Sequence, residues 1–212
     1  MIIRKSVLYS VTTVLCMVLC EPVLAGGNLV ANAGFETGDF SDWVLTGINE
    51  DATHNTVVEP AGFNSWLPNS GTFFAALGAA GSDSSLSQTI ATTVGQTYTF
   101  SWFLGSDGST PSNFSAFWNG STILSLVDTP ATPGYIRGTP TASYAFYSFT
   151  EVATSASTVI QFNSRNDQNF WALDDISVSA PAVPEPSSLV LSAIAVLTLA
   201  SFAARRWRRA HV

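Results

Sequence analysis

The sequence predicts an all-β body, and three observations carry that prediction. Apolar runs long enough for helices sit only near the two ends of the chain. Between them lie short runs rich in Thr, Val, Ile, Phe, Tyr and Trp, separated by Gly, Pro, Asn, Asp and Ser. β-Branched and aromatic residues fit a pleated, half-buried surface and the separators form turns, so this pattern specifies strands joined by loops. The number and spacing of the runs suffice for two packed sheets, an antiparallel β-sandwich or barrel.

At the N-terminus, Arg4 and Lys5 precede an apolar run over 7–19, then Pro22 and Val23-Leu24-Ala25. A basic start, an apolar middle and a small residue at the cut predict a signal peptide over 1–25, an N-terminal signal helix removed after Ala25. A lipoprotein cut before Cys20 is disfavoured, because bulky Leu19 sits where a small residue is wanted. Cys16 and Cys20, the cysteines of the chain, both fall inside this segment. The body is therefore free of disulfides, and a packed core or a bound metal must hold it.

Candidate strands fall at 29–31, 43–46, 56–59, 73–77, 85–90 and 97–104, and then at 114–118, 121–127, 143–150, 158–163 and 171–179. Tyr98, Phe100, Trp102 and Leu104 alternate with Thr97, Thr99 and Ser101, so this strand is expected to have one buried face and one wetter face. Ile176 and Val178 oppose Asp175 and Ser177 in the same way. Asn119-Gly120 tolerates the positive φ angles of a type I′ turn, so 114–127 reads as a hairpin. Long connections at 59–72 and 128–142 are functional or mobile candidates, and the Ser/Gly/Pro-rich stretch 105–113 reads as flexible. The β domain spans 26–179, followed by a Pro-rich linker over 180–188.

The C-terminal stretch reads Val183-Pro184-Glu185-Pro186-Ser187-Ser188, then an uncharged run over 189–204, then Arg205, Arg206, Trp207, Arg208 and Arg209. As a helix that run rises about 24 Å, a little short of the roughly 30 Å hydrocarbon core unless flanking residues help. It predicts a single transmembrane helix, with the arginines of the basic tail, 205–212, on the cytoplasmic side. A Pro-Glu-Pro motif, a short apolar helix and an arginine cluster together resemble a PEP-CTERM sorting signal. The resemblance implies export through the inner membrane of a Gram-negative bacterium as a membrane-anchored precursor. It further implies processing by an exosortase near the Pro-Glu-Pro, and a mature protein at the cell surface, in the outer envelope or in the matrix. An ordinary C-terminal anchor is the alternative.

From Gly26 to Pro186, two arginines stand against fourteen acids, a formal charge of −12. Such a surface repels nucleic-acid phosphates and anionic headgroups and favours cations, so nucleic acid is set aside as a partner.

The start of the body, Asn28-Leu-Val-Ala-Asn32-Ala-Gly34-Phe35-Glu36 to Trp43, and its end, Leu173-Asp174-Asp175-Ile176-Ser-Val178, resemble the opening and closing motifs of galactose-binding-like jelly rolls, including carbohydrate-binding modules. This narrows the expected fold class to a two-sheet antiparallel jelly roll. In that family the first and last strands lie side by side and often share a structural Ca²⁺. The resemblance thus implies a site at Glu36 with Asp174 or Asp175, and Asp39 as a further ligand. A hard cation seeking six to eight oxygens would tie the chain ends of a disulfide-free domain. Strand parity puts Asp174 on the side of Ile176 and Val178, making it the carboxylate expected to be buried. The alternative is that these are solvated acids.

Sugar binding in such modules uses exposed rings that stack on pyranose faces, plus polar side chains that bond hydroxyls. Phe63, Asn64 and Trp66 in one long loop and Tyr135 and Arg137 in the other are the candidates, with 165–169 as a further polar rim. The competing reading is that the loop aromatics cap the core. An enzyme would need a carboxylate pair such as Asp107 and Asp128 for glycoside hydrolysis. No Gly-x-Ser-x-Gly or His-Glu-x-x-His motif is present, and His54 has no evident acid partner. The expected function is that of a non-catalytic surface or matrix protein that interacts with extracellular polysaccharide. A structural envelope or biofilm component without a defined glycan is the first alternative, and a glycoside hydrolase the second.

Overall fold

The computed structural model describes residues 27–47 and 56–181. The expected signal peptide, His54, the Pro-Glu-Pro motif, the transmembrane helix over 189–204 and the basic tail lie outside the described residues. Among those described, no helix is long and apolar enough to cross a membrane.

Among the described residues, ten strands form two five-stranded antiparallel sheets. In chain order they are β1 (Val44–Gly47), β2 (Thr56–Pro60), β3 (Phe73–Leu77), β4 (Ser84–Ala91), β5 (Thr97–Ser106), β6 (Ser112–Trp118), β7 (Ser121–Val127), β8 (Ala145–Val152), β9 (Ser157–Asn166) and β10 (Trp171–Ser179). The first sheet runs β1-β4-β9-β6-β7 and the second β2-β3-β10-β5-β8, the all-β, two-sheet architecture that the sequence predicts. Facing side chains fill the interior: Leu86 and Ile90 from β4, Phe114 and Trp118 from β6, and Phe162 from β9 meet Phe100, Trp102, Leu173 and Ile176. Strands β6 and β9 alternate buried and half-exposed residues along their length, as one-sided burial requires. The β6–β7 hairpin turns at Asn119 and Gly120, with φ of 47° and 84°, the left-handed pair of a type I′ turn.

Strand β10 is different, because five of its first six residues are buried. It is covered on both sides. Trp171, Leu173 and Ile176 point into the main core, while Ala172 joins Trp66, Phe74, Ala76 and Phe170 in a second cluster on the outer face of the second sheet. Gly105 makes that cover possible, since a Cβ there would overlap the Trp66 ring. Burying a ring of this size contributes on the order of 4–6 kcal/mol before side-chain entropy is deducted.

Three expectations change. Residues 29–31 form no strand; instead Asn28 acts as a backbone surrogate beside β10, its Nδ2 donating to Ile176 O and its Oδ1 accepting from Val178 N, both at 2.9 Å. Second, the register of β10 against β5 shifts between Asp174 and Ser177, and Asp175 has φ of 49°. This bulge puts Asp174, paired with Phe103, on the outer face and Ile176 on the core face. Third, 105–113 is no free loop, because β5 continues to Ser106 and β6 begins at Ser112.

Candidate functional site

Two polar constellations lie against the second sheet. The first joins the start of the domain, the 69–73 segment and the β10 bulge. Asp174 is completely buried. Its Oδ2 accepts the Asn69 N–H at 2.8 Å and the Ser70 N–H at 3.3 Å, while Oδ1 accepts the Asp175 N–H at 2.8 Å. Asp175 accepts from Asn69 Nδ2 and Ser70 Oγ, each at 2.7 Å. Glu36 accepts the N–H groups of Thr72 at 2.9 Å and Phe73 at 3.1 Å, so close to the chain that a Cβ on Gly71 would overlap its carboxylate. Burial, then the adjacent Asp175 charge, push the Asp174 carboxyl up to about 7 against the hydrogen bonds that favour its charged form.

Three of the four expected metal-site residues therefore bond to one segment, 69–73. A Cβ on Gly34 would sit 3.4 Å from Asp175 Oδ1, 3.5 Å from Asp174 Oδ1 and 3.8 Å from Glu36 Cγ, so the glycine leaves a small cradle bordered by one oxygen of each aspartate and by the aliphatic stem of Glu36. That donor set suits a hard cation. Yet among the described residues no group of three or more His, Cys, Asp or Glu side chains is arranged to hold a metal ion, so further ligands would have to be backbone carbonyls. Asp39 is bonded within its own turn. It accepts from Ser41 N at 2.9 Å and Thr37 Oγ1 at 2.8 Å, and these bonds hold its carboxyl below the usual range. The same turn is organised by Asn32, whose Nδ2 donates to the carbonyls of Asp39 and Ser41.

The second constellation is the loop rim. Tyr135 stacks on Trp66 with ring centroids 4.6 Å apart and planes at 25°, and its hydroxyl lies 3.5 Å from Asn64 O. Phe63 packs edge-on against Phe170 at 5.2 Å. Trp66 is fully buried, so it backs Tyr135 and offers no platform of its own, a correction to its expected role as an exposed ring. Tyr135 itself is half-buried. Burial, then the Asp107 charge, raise its phenol above the ordinary value.

Beneath this rim sits Asp107, whose side chain is wholly buried. Its Oδ2 accepts Arg137 Nη2 at 3.1 Å and Asn169 Nδ2 at 2.6 Å; its Oδ1 accepts Asn166 Nδ2 at 3.2 Å and the Ser109 N–H at 3.1 Å. The carboxylate considered as half of a hydrolytic pair is thus a hub that fixes the 105–111, 128–142 and 167–169 segments. Asp128 instead accepts the Ser112 N–H at 2.8 Å. Sequence reasoning missed Asn69, Ser70 and this role of Asp107; the signal present was the run of Asx and Ser residues in each loop, which favours side chain to backbone bonding.

A third surface is the outer face of the first sheet. There Gln161 is flanked by Ser87 and Phe117, and Asn163 by Ser85 and Ser115. All six are half-exposed, and Gln161 Nε2 donates to Asn163 Oδ1 at 2.8 Å.

Comparison with known proteins addresses the two parts of the chain separately. Residues 182–209 match the PEP-CTERM protein-sorting motif. That motif implies exosortase-sorted export and a membrane-anchored precursor. No curated protein matches the chain. Among solved structures, TmCBM61 in complex with beta-1,4-galactotriose is similar at 18% identity, covering 72% of this chain and 97% of its own, with a TM-score of 0.52. The CBM22-1 xylan-binding domain of Paenibacillus barcinonensis Xyn10C is 14% identical over 77% of this chain and 100% of its own, with a TM-score of 0.47. The enzymatically active domain of bacteriophage CBA120 tailspike protein 4 is 15% identical over 72% of this chain and 21% of its own, at 0.48. The β body thus has the jelly-roll fold of carbohydrate-binding modules.

Proposed function

We propose that the chain is a non-catalytic surface or matrix protein that, once sorted and processed by an exosortase, binds extracellular polysaccharide at the 62–66 and 134–137 rim. The observation that carries this reading is the Trp66–Tyr135 stack. A buried indole holds a half-exposed phenol ring in one orientation beside the guanidinium of Arg137 and the amides above Asp107. A fixed ring flanked by hydrogen-bond donors suits a pyranose, whose apolar face stacks while its edge hydroxyls are bonded. Asp107, the carboxylate beneath this ring, is engaged by amide, hydroxyl and guanidinium donors, which favours a binding role for it over acid or base work.

The rows Ser87–Gln161–Phe117 and Ser85–Asn163–Ser115 favour a second reading, in which a glycan lies along the first sheet. Full-length protein in detergent, presented to an array of bacterial polysaccharides, separates these possibilities. Loss of a specific signal in Tyr135→Ala supports the rim, loss in a Phe117→Ala, Gln161→Ala double variant moves the site to the sheet, and silence across the array leaves a structural envelope component without a glycan ligand. Release of reducing ends would instead reinstate the hydrolase.

Within this reading Ca²⁺ is a structural ion held by Glu36 and Asp174, with Asp175 at its side. The cradle at Gly34 and the raised Asp174 carboxyl support it. Bound there, the cation would offset like charges that now rely on the 69–73 amides, and it would tie the first turn to the last strand.

A further inference from the structure

The geometry points to a rule of ligand choice at the rim: it takes uncharged polysaccharide and rejects polymers bearing carboxylate, sulfate or phosphate. This rests on the glycan-binding reading above and deepens it. Acidic polysaccharides are ordinarily gripped by arginine, whose planar fork matches an anionic group. The chain offers two arginines between residues 26 and 186, and both are already neutralised within the fold.

Arg137 lies at the rim with its side chain 69% exposed, and Asp107, wholly buried, holds Nη2 from beneath at 3.1 Å. Ser109 Oγ accepts from the same nitrogen at 3.1 Å. The pair therefore presents N–H donors to solvent with its charge cancelled underneath, and buried charges are screened little by salt. Arg165 is matched by Asp167 through both Nε and Nη2. The formal −12 of the body adds a repulsive field for any approaching polyanion. What remains suits hydroxyls: a stacked phenol, the guanidinium edge and the Asn64 segment. Asp107 is accordingly a specificity-determining residue that acts through Arg137, and Arg137 serves as a neutralised donor.

The test is affinity electrophoresis of the full-length protein in gels containing an uncharged galactan, dextran or mannan, an anionic alginate or polygalacturonate, or a cationic chitosan, at low and at physiological salt. Retardation by an uncharged polymer, little changed by salt, with none by the anionic gels, is the expected result. Asp107→Asn should then add anionic retardation several-fold by exposing the Arg137 charge. Asp107 is a buried hub, so Arg137→Gln on the exposed side is the companion variant; it should weaken uncharged binding while anionic polymers stay excluded. Preferential retardation by alginate or polygalacturonate, or retardation confined to chitosan and abolished by salt, overturns the rule. Retardation by none of the polymers counts instead against the glycan-binding reading on which the rule rests.

Discussion

Asp174 Oδ2 and the backbone N–H of Asn69 are 2.8 Å apart, although 105 residues separate them in the chain. This bond, with those from Ser70 to the same carboxylate pair, fastens the segment preceding β3 to the bulge of β10. The fastening is made of acids held by amides, so its strength depends on pH and on any cation present.

In chelator, the melting temperature should fall as pH rises from about 4 to about 7. The Asp174 carboxyl titrates near 7 in the fold and about 3.9 unfolded. Between these values the folded state holds the extra proton, so this group's stabilisation is present below about 4 and lost above about 7. Adding Ca²⁺ at pH 7.5 should raise the melting temperature, and Asp174→Asn should flatten both responses. A melting temperature indifferent to chelator and Ca²⁺ at pH 7.5 removes the proposed ion.

Asn28→Ala should loosen the N-terminal segment without unfolding the sandwich. The side chain satisfies Ile176 O, Val178 N and Val30 N, and losing such bonds costs about 1–3 kcal/mol when the partners stay buried. Hydrogen exchange at the Val178 amide reads this directly. Unchanged protection there would show that the segment is held by other contacts.

Gly105→Ala should destabilise by about 1–3 kcal/mol, because the new methyl displaces the Trp66 ring from its seat on β5. Trp66→Ala should cost more, about 3–5 kcal/mol. Trp66→Phe should cost less than alanine, since it keeps most of the ring and removes an indole N–H that has no hydrogen-bond partner. Denaturant melts of the three variants check the order, and equal midpoints would contradict the close packing described.

Much of this fold is legible in the sequence because one-sided strands write their alternation plainly: β4, β6 and β9 each carry it, and Asn119-Gly120 marks the tightest hairpin. The features that were not legible depend on tertiary cover. Asp174 was expected to be buried by sharing a face with Ile176; it is buried, but the bulge at Asp175 puts it on the other face, under the 69–70 segment. No local pattern announces a bulge that a non-glycine residue accepts at positive φ. Trp66 illustrates the same limit from the other side, because an aromatic in a polar loop reads alike whether it faces solvent or folds back over Gly105. Tyr135 and Asn64 were recognisable as rim residues, whereas Asp107 gave no sign that three segments converge on it.

The most direct test of the account is the binding isotherm of Tyr135→Ala against wild type, measured with full-length protein on whichever polysaccharide the array selects. Because Trp66 already fills the pocket behind the ring, the variant should keep nearly the wild-type melting temperature while its affinity falls about tenfold or more, some 1.4 kcal/mol. Equal affinity in a folded Tyr135→Ala protein would contradict the placement of the glycan at the Trp66–Tyr135 stack.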